Sequence, residues 1–426
     1  MLTALWQSIK VLLDNRVVRN ISLATLGTAI SQGVLVAVLP LLTRIYDPSD
    51  FAILAIYTSL IGLFVVVACG RFDLAIPLPE SQSDGLGLLI LSLIVAAVFS
   101  SVLGLLYWVS GEYWLDLFSL TEFQPYAWLV PLGVFLAACN LCLEYWFART
   151  KQFGFLAKTK IARAISGAGS QLGIGYISRW PAGLIVGQVV FSGAGALIQG
   201  VRLWLSYRAA LRRQSLADLK RLAREYSRFP LLSGPEAIFN KVGVHVPVLV
   251  IAALALGPEA GFLMLAMRIL SVPVSLLGLS VQQVYLSEAP QKFRENQLQS
   301  FTHKIQATLA KVGVLPLLTL GLLAPLLTES IFGAGWERAG WIILWLTPAY
   351  ILQFIVSPIS VALHVVNRTA YASMLQGFGS ILRVGAVGVA GIWYPDYLVE
   401  FYAISGVVFY ALYYLVVSYA LSGAKS

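Results

Sequence analysis

The sequence predicts an all-α polytopic membrane protein: twelve transmembrane helices in two six-helix bundles, related by a pseudo-two-fold axis along the membrane normal. Three observations predict it. Hydrophobic residues make up 58% of the 426, charged residues 12%, and mean hydropathy is +0.81, a composition foreign to a soluble domain of this size. Apolar stretches long enough to cross the hydrocarbon, about 20 residues each, recur along the chain. When the sequence is shifted by 210 positions, close to half its length, Asp47-Pro48-Ser49-Asp50 falls on Gly257-Pro258-Glu259-Ala260 and Gly33 on Gly243. A parallel repeat of six spans enters twice from the same side.

Met1 to Asn20 carries Lys10, Arg16 and Arg19 around Leu5, Trp6, Ile9, Leu12 and Leu13. It reads as an interfacial cytoplasmic helix, since no small-residue cleavage site precedes the first long apolar segment. In the first half (1–206) spans are expected over 21–43, 51–70, 86–109, 126–147, 159–178 and 182–206, the fifth weakened by Gly and Ser. A basic cytoplasmic linker, 207–229, follows. In the second half (230–426) they are expected over 231–256, 262–287, 306–328, 338–363, 370–393 and 397–421. Gly169 with Gly173, Gly183 with Gly187, and the Gly193 to Ala196 run supply close helix packing on the fifth and sixth spans.

Loop charge gives the orientation. Even-numbered loops hold Arg71, Arg149, Lys151, Lys158, Lys160 and the linker group from Arg208 to Arg228, then Lys292, Arg294, Lys304 and Arg368; odd-numbered loops hold mainly acids, such as Asp47, Glu112, Glu259 and Asp396. The positive-inside rule then sets both termini in the cytoplasm. The formal charge of +9 is accounted for by these loops, so nucleic acid is not a partner. Membrane lipids are.

Cys69, Cys139 and Cys142 lie in apolar segments, away from His245, His303 and His364, so neither a disulfide framework nor a metal site is indicated. No HExxH, P-loop or GxSxG pattern occurs, and the longest outer loop, 110–125, has acids but no nucleophile constellation. Catalysis is not expected, and no cofactor is.

The candidate site rests on polar positions inside apolar spans, where an ionisable group costs at least about 2.5 kcal/mol on insertion scales and so faces a cavity or a partner. Lys241 and His245 are four apart and share one face of the seventh span. Arg268 lies in the eighth, where snorkelling to the outer interface is an alternative. Gln376, Ser380 and Arg383 form a stripe on the eleventh, Gln353, Ser357, Ser360 and His364 on the tenth, Thr25, Thr28 and Gln32 on the first; Asn140 and Glu144 sit together on the fourth. Lys241 also has a structural alternative, pairing with Glu144 or Glu236. The deep cations Lys241, Arg268 and Arg383, with no Asp at the middle of any span, suit an anionic substrate, and Arg suits phosphate because its planar fork donates two parallel hydrogen bonds. A lipid-linked phosphate or pyrophosphate fits best.

Several segments resemble a known family. Phe332-Gly333, Trp336, Ala339-Gly340, Pro348, Gln353-Phe354, Ser357-Pro358 and Asn367-Arg368 resemble the tenth-span signature of bacterial polysaccharide-unit translocases, the O-antigen and exopolysaccharide flippases of the multidrug/oligosaccharidyl-lipid/polysaccharide exporter superfamily. Arg71 to Ile76 with Leu78-Pro79, Gly27 to Gln32 with Leu42 to Tyr46, and Phe229-Pro230 through Pro273 to Leu276 are similar to other segments of that family. The resemblance implies two bundles forming a V around a central cavity and alternating access. It also implies translocation of an undecaprenyl-pyrophosphate-linked oligosaccharide across the bacterial inner membrane, with a polysaccharide polymerase and chain-length proteins as further partners.

On this reading Lys241, Arg268 and Arg383 hold the pyrophosphate, and Gln32, Asn140, Gln353 and Gln376 contact sugar hydroxyls. Glu144 and His245 are the carriers if transport is coupled to protons or sodium. Two other readings are a drug or cation antiporter of the same superfamily, which calls for buried carboxylates, and a membrane glycan ligase or polymerase, which calls for a larger outer loop.

Overall fold

The computed structural model describes residues 16–178, 180–255, 257–366 and 368–422. The interfacial helix expected before Asn20 lies largely outside this set, as do Arg179, Asn367 and the side chains of Glu236 and His364. The described chain is helical. In the first half run α1 (Arg16–Leu42), α2 (Pro48–Ala68), α3 (Gln82–Leu117), α4 (Leu129–Arg149), α5 (Phe153–Ser178) and α6 (Ala182–Leu211). A short helix α7 (Leu216–Glu225) precedes α8 (Gly234–Leu254), α9 (Glu259–Arg294), α10 (Leu298–Phe332), α11 (Glu337–Val356), α12 (Thr369–Trp393) and α13 (Leu398–Ser422).

Eleven of these helices are long and apolar enough to cross a membrane. α5 has the length, 26 residues, but Lys158, Lys160 and Arg163 near its start and a run of Gly and Ser after them leave it too polar. Three elements differ from the expected spans. α3 continues to Leu117, so half of the expected 110–125 loop belongs to this helix, with Trp108, Tyr113 and Trp114 exposed on it as an aromatic belt would be. α11 stops at Val356 in a 3-10 turn, Ser357–Ile359, because Pro358 has no N–H for the next rung; the expected Gln353 to His364 stripe is therefore broken. Within the linker, α7 begins with a Ser215/Asp218 capping box and is docked on α3 by Arg221–Asp84 at 2.5 Å and by Gln214 donating to the Ser83 carbonyl at 3.0 Å.

The same helix pairs pack in each half. In the first they are α1 with α5, α5 with α6, α3 with α4, α4 with α6 and α2 with α4; in the second, α8 with α12, α12 with α13, α10 with α11, α11 with α13 and α9 with α11. Small residues permit part of this. A side chain on Gly167 would meet the Gly187 carbonyl at 3.1 Å, whereas Gly169 and Gly173 face open space; the close approach of α5 and α6 thus uses Gly167 and Gly187, not the Gly169/Gly173 pair. The halves meet chiefly through α2 against α8 and α9, and α1 against α9.

At the acidic-loop end this junction is sealed around Trp336. The indole is 1% exposed and donates to the Thr43 carbonyl at 3.2 Å. Its ring meets Phe51 and Phe262 edge-on, at 4.9 and 5.8 Å between centroids. Gly261 lies against the Pro48 carbonyl, where no larger residue fits. Leu39, Leu42 and Leu54 of the first half and Leu263, Ile343 and Leu398 of the second belong to one buried cluster, so the seal is continuous with the core.

Candidate functional site

Three chambers lie inside the bundle, joined by shared lining residues. The first, about 180 Å³, is enclosed by α1, α5, α6 and α9 and is lined by Gln32, Gln171, Gln188, Phe191, Arg268 and Ser271 among others. The second, about 280 Å³, lies between the halves, with Thr58 and Ser59 of α2, His245 of α8, Arg268 and Ser271 of α9 and Tyr350 of α11. The third, about 70 Å³, is inside the second half, among Met267, Tyr350, Gln353, Arg383, Tyr402 and Tyr410. Arg268 and Ser271 belong to the first two chambers, Met267 and Tyr350 to the last two.

Local sequence explains how Arg268 is presented. Pro273 leaves the Ile269 carbonyl without its helical donor, and the Ser271 hydroxyl turns back to the Arg268 carbonyl at 3.0 Å. The guanidinium lines both central chambers, so it does not snorkel to the interface. Around it the walls offer amides, hydroxyls and one imidazole, and no carboxylate. A cation among neutral hydrogen-bonding groups is suited to an anion. His245 of the second chamber packs its ring edge on Gly62 of α2, a contact that also ties the halves together.

The other expected site residues divide. Gln32 joins Arg268 in the first chamber and Gln353 joins Arg383 in the third, but the three cations do not share one lining. Arg383 is separated from Arg268 by Met267 and Tyr350. Lys241 is half-buried, lines none of the three chambers, and lies within electrostatic reach of Arg71 at the basic-loop end. Gln376 accepts from Asn240 at 3.0 Å, the Ser380 hydroxyl donates to the Phe239 carbonyl, and Arg383 Nη1 donates to the Gly243 carbonyl at 3.4 Å. Most of that stripe therefore fastens α12 to α8.

Asn140 and Glu144 do not face the chambers. Arg163 reaches Glu144 at 2.5 Å, Asn140 donates to the same oxygen at 2.9 Å, and Gln199 donates to Asn140 at 3.0 Å. Arg163 also donates to the Phe191 carbonyl at 3.3 Å and lies 4.4 Å over the Phe191 ring. This cluster ties α4, α5 and α6 together and occupies the carboxylate assigned above to ion coupling. Arg163 is legible as the one arginine inside the expected fifth span. Tyr350, Tyr402 and Tyr410 carry no comparable signal, because aromatic residues are common in any span. Among the described residues no group of three or more His, Cys, Asp or Glu could hold a metal ion.

The chain is a multi-spanning helical membrane protein, a pair of bundles with joined polar chambers at the junction of its halves and a cation at their meeting point. The family model described as "Polysaccharide biosynthesis protein" matches residues 41–340, and the chain belongs to that family. No curated protein matches the sequence. Solved structures share the fold: lipid II flippase MurJ in an inward closed conformation (TM-score 0.69, 15% identity, 92% of this chain and 87% of that one), and an inward-facing multidrug resistance MATE family transporter of the MOP superfamily (0.60, 14%, 94% and 96%). The Vibrio cholerae MATE transporter VcmN is a more distant match (0.53, 13%, 98% of each chain). The resemblance drawn from the sequence motifs thus holds at the level of a polysaccharide biosynthesis family and of the fold, which is shared with the MurJ flippase and MATE transporter structures.

Proposed function

We propose that the protein flips a polyprenyl-pyrophosphate-linked oligosaccharide from the cytoplasmic to the periplasmic leaflet of a bacterial inner membrane, for O-antigen or exopolysaccharide assembly. The observation that carries this reading is Arg268, an unpaired guanidinium shared by two chambers whose other polar lining is amide and hydroxyl. A pyrophosphate and its sugars cannot cross hydrocarbon without losing their hydration; these chambers provide the alternative route while the polyprenyl tail stays in lipid. Arg268 holds the diphosphate by two parallel hydrogen bonds, and Gln32, Gln171, Gln188 and Ser271 contact hydroxyls. Lys241, beside Arg71, attracts the headgroup at the basic mouth, taken as cytoplasmic with both termini. Rocking of the two six-helix halves, related by an axis along the membrane normal, exposes the site to either side. With Glu144 held by Arg163, His245 is the remaining carrier for any proton coupling. Polymerase and chain-length proteins would act on the product.

The test is flipping of a defined polyprenyl-pyrophosphate glycan in proteoliposomes. Arg268→Gln should lower the rate by roughly tenfold or more, as loss of a charged hydrogen-bond donor implies, and Arg268→Lys should recover part of it. Unchanged flipping by Arg268→Gln, or export of cationic dyes without any glycan movement, would overturn the proposal.

A further inference from the structure

We propose that the chamber around Arg383 is a binding site for a small monovalent anion of the chloride class, separate from the headgroup site at Arg268. Arg383 is 6% exposed, and its Nε and Nη2 atoms are buried without a hydrogen-bond partner. The groups within its hydrogen-bonding reach, the Gly243 carbonyl at 3.4 Å and the Tyr410 hydroxyl, are both neutral. The guanidinium lies 4.3 Å from the Phe409 ring centroid and 5.1 Å from that of Tyr410, but ring faces offset only part of the cost of burying a full charge. An arginine cannot shed that charge by deprotonation. Water would satisfy its N–H groups and leave the charge uncompensated.

The first half shows the same device completed. There Arg163, on the fifth helix of the half, lies 4.4 Å over Phe191 of the sixth, and the fourth helix supplies the Glu144 carboxylate at 2.5 Å. In the second half Arg383, on the corresponding helix α12, lies over Phe409 of α13, and the corresponding α11 supplies Tyr350 and Gln353 to the chamber. The counter-charge built into one half is replaced in the other by a chamber lined with a guanidinium, an amide and three tyrosines. Tyrosine hydroxyls and an amide N–H are donors suited to an anion. At about 70 Å³ the chamber is the smallest of the three and has room for a monatomic anion with its water. The route in runs through the second chamber, past Tyr350 and Met267.

The experiment is thermal unfolding of the purified full-length protein in nanodiscs, with gluconate exchanged for chloride or bromide at constant ionic strength. We expect the midpoint to rise saturably with halide in the wild type and in Arg268→Gln, and the halide response to weaken by at least about tenfold in concentration in Arg383→Gln, the loss of one charge-assisted contact. Tyr402→Phe should weaken it less. If Arg383→Gln does not fold, anomalous scattering from bromide-soaked wild-type crystals decides: a peak among Arg383, Tyr350 and Tyr410 supports the site, and its absence there overturns it. A midpoint indifferent to halide, or a response that survives unchanged in folded Arg383→Gln, also overturns it. None of these readouts depends on flipping, so the site and the flippase reading fail separately.

Discussion

The seal at Trp336 gives the sharpest test of how the halves move. Replacing this 1% exposed residue by alanine removes about 3–5 kcal/mol of packing and a hydrogen bond of about 1 kcal/mol. Phe262 lies in the same half as Trp336 and moves with it, so only the contacts with Phe51 and Thr43 oppose separation. Assigning the Phe51 contact about half of the packing, roughly 2 kcal/mol, and adding about 1 kcal/mol for the hydrogen bond, the equilibrium should shift by about 3 kcal/mol, on the order of 100-fold, toward a conformer open at the acidic-loop end. Spin labels at Leu41→Cys and Ile331→Cys, both exposed positions flanking the seal on opposite halves, in a background lacking the three native cysteines, would report the separation by pulsed electron resonance. Trp336→Ala should populate a longer distance that is minor in the parent. Trp336→Phe, which keeps a ring but loses the hydrogen bond, should shift the balance only about fivefold. An unchanged distance distribution in a well-folded Trp336→Ala protein would refute the idea that this contact holds the halves together.

Three further outcomes follow. Glu144→Ala strands Arg163 and should cost about 2–3 kcal/mol in thermal or denaturant unfolding, below the roughly 3–5 kcal/mol of a fully buried pair because Glu144 is 28% exposed; Glu144→Leu combined with Arg163→Met should cost less than Glu144→Ala alone. Gly187→Val drives a side chain into Gln171 and the Gly167 carbonyl and should destabilise by about 2–3 kcal/mol, while Gly169→Val, facing open space, should leave the melting temperature nearly unchanged. Asp73, in the turn after α2, is 1% exposed, and burial pushes its carboxyl above the usual range against the pull of Arg71 and of the backbone N–H groups of Asp73 and Leu74. Its folded form therefore holds the proton more tightly than the unfolded chain. Stability is greatest below the ordinary carboxylate range and is lost as pH rises through the raised value. Asp73→Asn should raise the melting temperature at pH 7 and make little difference near pH 4.

The fold was legible because hydrocarbon imposes one demand on every span, length and apolarity, and the chain meets it eleven times. Boundaries were harder. α3 runs past its apolar stretch to Leu117 on aromatic residues suited to the interface, and Pro358 ends α11 where the apolar pattern continues. For the site, periodicity placed Gln32, Arg268, His245, Gln353 and Arg383 on inward faces, but depth and neighbours decide which chamber a side chain enters. Arg383 and Arg268 are both mid-helix cations by sequence, and only the third dimension interposes Tyr350. The pairing of Glu144 with Arg163 joins two helices through a contact that no single-helix stripe displays.

The polarity of α5 also bears on how the protein is made. With Lys160 and Arg163 partly buried in its first half, where a cation costs up to about 2.5–3.5 kcal/mol on insertion scales as it nears the helix centre, this helix is poorly fitted to leave the translocon alone. Its charges find partners already synthesised: Lys160 donates to Thr28 of α1 at 3.0 Å and Arg163 meets Glu144 of α4. Both contacts need α1 and α4 in place, so Glu144→Ala is expected to lower the fraction of α5 that inserts, as well as loosening the brace in the finished molecule.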